Sequence, residues 1–255
     1  MLVSKFSHIE ECEMSMLVHK PSRQSRQDVR TLPTYTIPEA AQILGINRWT
    51  MGDWYDGSSP LLNASATYQN NGNIKLLSFR DLEEAYKVHL LRNKLGKSMQ
   101  YLQDALVDAR KLSKSEHPLL DCKMLVFKRL ALELPATKKK PLRMVALGEP
   151  QMSLYIPDVI ETWGKRIVED DKGKATQIFP WKRDDTDDES RPVSISADVL
   201  SGRLVVTGTR IPVGVLAAYS DAGRSVEQIA ELYKLDVETV RKALEHIGPE
   251  LQKAS

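Results

Sequence analysis

The sequence has little of what secreted or membrane-embedded proteins require. Its 255 residues include only two cysteines, Cys12 and Cys122, which lie far apart and suggest no disulfide framework. No apolar run approaches the length of a membrane span, and the first residues lack the basic, apolar and small-residue order of a secretion signal. We therefore expect a cytoplasmic protein with no membrane partner.

An excess of charge and recognisable catalytic patterns are also missing. The 36 basic and 34 acidic residues leave a net charge of +2, which permits nucleic-acid binding but does not indicate it. His8, Cys12 and His19 form the one local group of nitrogen and sulfur ligands, and metal sites usually need a tighter set. Because no nucleophile–base pair, phosphate loop or paired carboxylates stand out, we expect neither an enzyme nor a cofactor.

What the sequence does contain is a helix-turn-helix pattern between residues 36 and 54. Thr36 and Pro38 start one helix, Gly45 supplies the turn, and Asn47 caps a second helix. Such a motif places its second helix in the major groove of DNA. The residues we expect to contact DNA, one of them from a following hairpin, are Thr36, Asn47, Arg48, Trp49, Thr50, Tyr55 and Lys75.

A hairpin and two long helices follow this motif. Asn71-Gly72 is suited to a two-residue turn between strands. Apolar stripes at helical spacing then predict helices over residues 78–95 and 98–112. The order of helix, turn, helix, wing, helix and helix over about residues 33–113 resembles the winged helix-turn-helix of the MerR type. This resemblance implies a DNA-binding domain at residues 33–115.

The segments on either side of this domain are less regular. Residues 1–32 show no sustained period, so we expect a disordered leader. Residues 116–182 predict a small α+β connector, with a strand within 124–134, an apolar run at 142–147, a helix at 156–163 and a hairpin at 166–179. The acidic run within residues 183–191 predicts a flexible linker about which the C-terminal domain moves independently.

The last segment, residues 192–250, predicts a β-hairpin followed by three helices, the last two forming a second helix-turn-helix. Its stretch from Gly208 to Val213 and its run from Ala222 to Ala230 resemble a small antitoxin-associated domain that bacteria commonly encode beside a PIN-like nuclease toxin. The whole chain is then α+β, mainly helical, and resembles the long VapB-type antitoxins of type II toxin–antitoxin systems.

The resemblance implies a homodimeric repressor that binds operator DNA and neutralises a PIN-like ribonuclease toxin. It places toxin binding or dimerisation at Gly208, Thr209, Arg210, Ile211 and Pro212. The apolar end of the first long helix, at Leu90, Leu91 and Leu95, is a second candidate for the dimer contact.

Alternatives stay open. MerR-type recognition helices carry a basic and an aromatic residue where this chain has Gly52 and Asp53, which favours a protein-interaction module. A transcriptional regulator without a toxin partner is another alternative function. The sheet edges of the connector could also recruit the toxin by strand addition.

Overall fold

A computed structural model describes residues 28–248, except 59, 70–72, 96–97, 123, 127–129, 135–142, 148–165 and 181–189. This part of the chain is α+β and mainly helical, with eight α-helices and small antiparallel sheets. None of these helices is long and apolar enough to cross a membrane. The leader up to residue 27, the Asn71-Gly72 turn, the helix at 156–163 and most of the acidic linker lie outside the described residues. Residues 28–32, at the end of the expected disordered leader, are ordered around a short 3-10 helix, Val29–Thr31, in which Asp28 accepts a hydrogen bond from the Arg30 nitrogen, so the expectation of disorder is wrong for them.

The N-terminal unit combines a three-stranded sheet with five helices. Its strands are β1 (Tyr35–Thr36), β2 (Ala66–Gln69) and β3 (Asn73–Leu77), with β3 in the middle. Its helices are α1 (Ile37–Leu44), α2 (Arg48–Asp56), α3 (Phe79–Leu95), α4 (Met99–Ser113) and α5 (Pro118–Asp121). The predicted capping of α1 is confirmed, because Thr36 and Glu39 cap each other's backbone at its start.

Helix α3 lies at the centre of this unit and is buried on nearly every side. Leu91 is almost fully buried and Leu90 packs against the same core. These two side chains are therefore not a dimer surface, which corrects the expectation from the sequence. The side chain of Leu95 lies outside the described residues.

Among the described side chains of α3, four charged residues are also buried, namely Asp81, Glu83, Glu84 and Lys87. A buried charge is costly unless it is paired and hydrogen-bonded. The Nζ atom of Lys87 lies 2.7 Å from Glu83 Oε1 and donates a hydrogen bond of 3.2 Å to the Leu119 carbonyl in α5. The charges of α3 thus hold the neighbouring elements against it.

The described residues of the middle region form two sheets. The first has β4 (Met124–Val126), β5 (Leu130–Leu134) and β6 (Arg143–Ala146), with Leu125 opposite Ala131 and Leu132 opposite Val145. The single strand predicted over residues 124–134 is therefore wrong: the chain reverses, and the two halves satisfy each other's backbone groups. The predicted hairpin at 166–179 is confirmed as β7 (Ile167–Glu169) and β8 (Ala175–Ile178).

The C-terminal unit begins with the paired strands β9 (Val193–Ser194) and β10 (Val205–Val206). Three helices follow, α6 (Val213–Asp221), α7 (Val226–Tyr233) and α8 (Val237–Ile247). Their buried side chains form a core of their own, including Val213, Leu216, Ile229, Val240 and Ala243. The three predicted helices are thus present in this unit.

The C-terminal unit packs against the N-terminal one through buried polar contacts. The Tyr35 hydroxyl donates a 2.9 Å hydrogen bond to the Gly202 carbonyl. Nε2 of the buried His246 in α8 lies 2.9 Å from the Ile43 carbonyl of α1, which can only accept, so Nε2 carries the hydrogen. These contacts contradict the expectation that the C-terminal unit moves independently.

We predict that Gly202→Ala destabilises the whole chain more than Gly208→Ala. Both glycines have a positive φ, 81° and 75°, so both variants incur the left-handed backbone cost of about 1–2 kcal/mol. A Cβ atom at Gly202 would also overlap the Tyr35 hydroxyl, whereas one at Gly208 would meet nothing. We expect an additional loss of about 1–3 kcal/mol for Gly202→Ala in chemical denaturation. Equal losses would contradict the close contact between the two units.

A second buried contact joins α3 to the start of α5. Glu84 is 1% exposed, and its Oε2 atom lies 2.8 Å from His117 Nδ1. Its Oε1 atom has no hydrogen-bond partner within the described structure. The hydrogen bond to Glu84 raises the pKa of His117 above its usual 6.5 despite partial burial, because a protonated imidazole balances the carboxylate.

We predict a pH-dependent stability that depends on this pair. A folded-state pKa above the unfolded one gives stabilisation that is complete below about pH 6.5 and is lost as pH rises through the folded value. The free energy of unfolding should therefore fall from pH 6 towards pH 9 in the parent, and His117→Gln should remove that decline. Urea denaturation at half-unit steps of pH measures both slopes, and equal slopes would show that another group is responsible.

Candidate nucleic-acid interface

The turn between α1 and α2 fixes where α2 begins. Gly45 ends α1 with a φ of 69°, and Ile46 is buried beside it. The Asn47 side-chain oxygen then accepts hydrogen bonds from the backbone nitrogens of Trp49 at 2.9 Å and Thr50 at 3.4 Å. The first backbone N–H groups of a helix have no hydrogen-bond partner within the helix. Because Asn47 accepts from two of them, these contacts hold the first turn of α2 in one orientation.

Helix α2 has one side in the core and one side exposed. Met51 and Trp54 are buried, whereas Arg48 is exposed and Trp49 is 73% exposed. The Arg48 guanidinium carbon lies 5.2 Å from the centre of the Trp49 ring, within the range of a cation–π interaction. The first turn of α2 therefore presents a cation and an indole together at the positive end of the helix dipole.

Tyr55 occupies a different place from the one expected. It is almost fully buried, and its hydroxyl donates a 3.2 Å hydrogen bond to the Asp81 carbonyl at the start of α3. Burial raises the pKa of its phenol well above the usual value of 10.0. Tyr55 is a core residue that attaches α2 to α3. The predicted DNA contact by its side chain is therefore wrong, and its role is structural.

Lys75 on β3 also makes polar contacts within the fold. Its ammonium lies 2.8 Å from Asp56 Oδ1 and donates a hydrogen bond to the Tyr55 carbonyl. The last carbonyl groups of a helix have no partner inside the helix, so Lys75 satisfies one of them. It attaches the hairpin to the end of α2, and a DNA contact by Lys75 stays a prediction that would require it to leave Asp56.

The remaining expected contacts surround Arg48 and Trp49. The Thr36 and Asn47 side chains serve mainly as helix caps, with Thr36 Oγ1 donating a 2.8 Å hydrogen bond to Glu39 Oε2. Thr50 is half-buried in the first turn of α2. The structure thus brings Asn47, Arg48, Trp49 and Thr50 together and separates them from Tyr55 and Lys75.

Two exposed apolar residues of the hairpin were not among the contact residues predicted from the sequence. Tyr68 on β2 and Ile74 on β3 are directly opposite each other, 53% and 48% exposed. A two-residue turn at Asn71-Gly72 would have paired Tyr68 with Lys75 instead. In the observed register Gln69 pairs with Asn73, and a shift of one residue changes which side chains share a face.

The expected partner-binding segment runs from Gly208 to Pro212, and most of its residues make contacts within the fold just before α6. Thr209 Oγ1 donates a 2.9 Å hydrogen bond to the Val206 carbonyl and accepts a 3.0 Å hydrogen bond from the Ile211 nitrogen. Ile211 packs against the C-terminal core, and Pro212 bridges to Val205. Gly208 and Arg210 are the exposed members of this segment.

One comparison with known proteins matches the C-terminal unit. Residues 193–246 match the model of a family described as a protein of unknown function, DUF433. Comparison with curated proteins finds no relative of the chain. A similar solved structure is the X-ray crystal structure of Rv2018 from Mycobacterium tuberculosis, with 18% sequence identity and a TM-score of 0.49. The match covers 83% of this chain and 97% of that one.

Proposed function

We propose that this chain is a cytoplasmic DNA-binding antitoxin. In this proposal, residues 33–115 form a winged helix-turn-helix that binds operator DNA. The C-terminal unit binds a PIN-like ribonuclease toxin, and the protein represses the operon that encodes both. The observation that carries the proposal is the exposed pair of Arg48 and Trp49 in the first turn of α2.

The geometry around this pair supports groove binding. The N-terminal residues of a recognition helix are those that reach base edges, and Arg48 and Trp49 occupy that position in α2. Neither side chain is in the core, and the Asn47 cap holds the turn from which they project. Lys75 holds the β2–β3 hairpin against the other end of α2, in the place of a wing.

The antitoxin part of the proposal depends on the C-terminal unit. The segment that matches DUF433, residues 193–246, is the one that resembles small antitoxin-associated domains in sequence. It has its own helical core and leaves Arg210 exposed. A compact unit attached to a DNA-binding domain is the arrangement expected of a repressor that also binds a toxin.

A second candidate function is a protein-interaction module without useful DNA affinity. The single cation of α2, Arg48, is outnumbered by Asp53 and Asp56 on the same helix. Exposed aromatic side chains such as Trp49 and Tyr68 are also typical of protein interfaces. Binding to DNA separates the two candidates directly.

We predict that Arg48→Ala weakens specific binding to the DNA upstream of this gene by about 1–3 kcal/mol, the value of one guanine contact. Its melting temperature should change little, because Arg48 is exposed and has no packing role in the core. Fluorescence anisotropy with the full chain at several salt concentrations measures the loss, and affinity should fall as salt rises.

The matched control is Lys172→Ala, which removes an exposed cation from the β7–β8 turn. It should leave DNA affinity unchanged if binding is local to α2. If the parent shows no binding at low salt, the DNA-binding regulator is wrong and the result supports the interaction module. If Arg48→Ala melts well below the parent, Arg48 has a structural role.

We also predict that the full chain inhibits the ribonuclease activity of the protein encoded by the adjacent gene. Arg48→Ala should inhibit equally well, because toxin binding is assigned to the C-terminal unit and not to α2. Cleavage of a fluorescent RNA by the purified nuclease at increasing molar ratios measures the inhibition. Full nuclease activity at an excess of this chain would contradict the antitoxin assignment and leave the DNA-binding proposal intact.

A further inference from the structure

Two residues in the middle of α2 have no role within the described fold. Gly52 is the fifth of the nine residues of this helix, and a Cβ atom built on it would meet nothing within 4 Å. Asp53 is exposed, and its carboxylate has no hydrogen bond or ion pair among the described residues. Glycine and aspartate are both unfavourable in the middle of a helix, so the stability of α2 explains neither of them.

These two residues lie on the same side of α2 as the exposed pair in its first turn. Gly52 follows Arg48 by four residues, one turn further along the helix. Asp53 follows Trp49 by the same interval. The buried residues of α2 lie on the opposite side. We call these four residues, Arg48, Trp49, Gly52 and Asp53, the α2 face.

The two carboxylates of α2 differ in what they contact. Asp56 Oδ1 lies 2.8 Å from the ammonium of Lys75, which attaches the β2–β3 hairpin to the end of the helix. Asp53 has no such ion pair in the described part of the chain. Both oxygen atoms of its carboxylate can therefore accept hydrogen bonds from a bound molecule.

A carboxylate accepts hydrogen bonds and cannot donate them, so it discriminates among the bases in the major groove. Guanine presents two acceptors there, N7 and O6, and thymine presents the acceptor O4, which a carboxylate repels. Adenine presents a donor next to an acceptor. Cytosine presents the donor of its N4 amino group without an acceptor beside it. Cytosine is therefore the base that fits Asp53.

We propose that Asp53 is a specificity-determining residue of the DNA site and accepts a hydrogen bond from the N4 amino group of a cytosine. Gly52 leaves the space that lets the helix backbone approach the bases, so that the short aspartate side chain reaches them. Five residues of helix span roughly 7.5 Å, which is about two base-pair steps of DNA. The cytosine therefore lies about two base pairs from the guanine that Arg48 contacts. This inference rests on the proposed DNA binding and names the base that one further residue reads.

The same carboxylate opposes general binding to DNA, because it repels the phosphates on either side of the groove. Removing its charge should therefore strengthen binding to DNA of any sequence. A residue that only repels DNA would show this effect without any change in the preferred base. The preferred base, and not the overall affinity, is thus the measurement that tests the proposal.

The first test selects binding sites for the full chain from duplex DNA that carries a randomised segment. The parent should select sites with a cytosine about two base pairs from a guanine, and Arg48→Ala should lose the preference for the guanine. Asp53→Asn should change the preferred base from cytosine to adenine, because an amide both donates and accepts as adenine requires. Asp56→Asn is the matched control, since it removes an equal charge from the same helix and should leave every preference unchanged.

The outcomes separate this inference from the proposed function. A parent that enriches no sequence contradicts DNA binding itself, and the inference with it. A parent that selects a site with no required cytosine, or an Asp53→Asn variant that selects the same site as the parent, overturns the inference and leaves DNA binding intact. A change of the preferred base in Asp56→Asn as well would also overturn it, because charge alone would then account for the effect.

The second test measures affinity by fluorescence anisotropy on the selected duplex and on one in which the cytosine–guanine pair is replaced by thymine–adenine. The parent should lose about tenfold in affinity, the usual effect of one mismatched pair, and Asp53→Asn should lose much less. Gly52→Gln should bind the selected duplex about tenfold more weakly than the parent, yet melt no lower, since glutamine favours a helix more than glycine does. Equal losses in the parent and Asp53→Asn, or parental affinity in Gly52→Gln, would overturn the inference.

Discussion

Helix α3 buries four charged side chains, and the positions of its neighbours follow from the partners those charges need. Lys87 connects to α5 through the Leu119 carbonyl and lies 3.4 Å from Glu169 on β7. Asp81 accepts hydrogen bonds from Ser65 and Ser78, which fixes the loops beside the hairpin. Displacing any of these elements would leave a buried charge without its partner, which would strongly destabilise the fold.

The candidate interface depends on the same helix. Tyr55 is held by the backbone of α3, and this determines which side of α2 faces inward. Lys75 then closes the end of α2 and positions the hairpin. Arg48 and Trp49 are left outside as a consequence, so their exposure follows from contacts made at the opposite end of the helix.

The docking of the C-terminal unit adds a second constraint. His246 satisfies a carbonyl near the end of α1, and Gly202 leaves just enough room for the Tyr35 hydroxyl. Both contacts meet the elements that precede α2. The C-terminal unit therefore contacts, through buried polar atoms, the two elements that precede α2.

Features that depend on neighbouring residues could be predicted from the sequence: the Thr36 and Asn47 caps, the left-handed Gly45, and the helices α3 and α6 to α8. The three-dimensional fold was needed to find the roles of Tyr55 and Lys75, the pairing of Tyr68 with Ile74, and the antiparallel pairing of β4 with β5. Helix caps and helical periodicity depend on residues a few positions apart, so they can be predicted from the sequence. The other features depend on partners distant in sequence, and a one-residue change of strand register alters the exposed face without altering local preference.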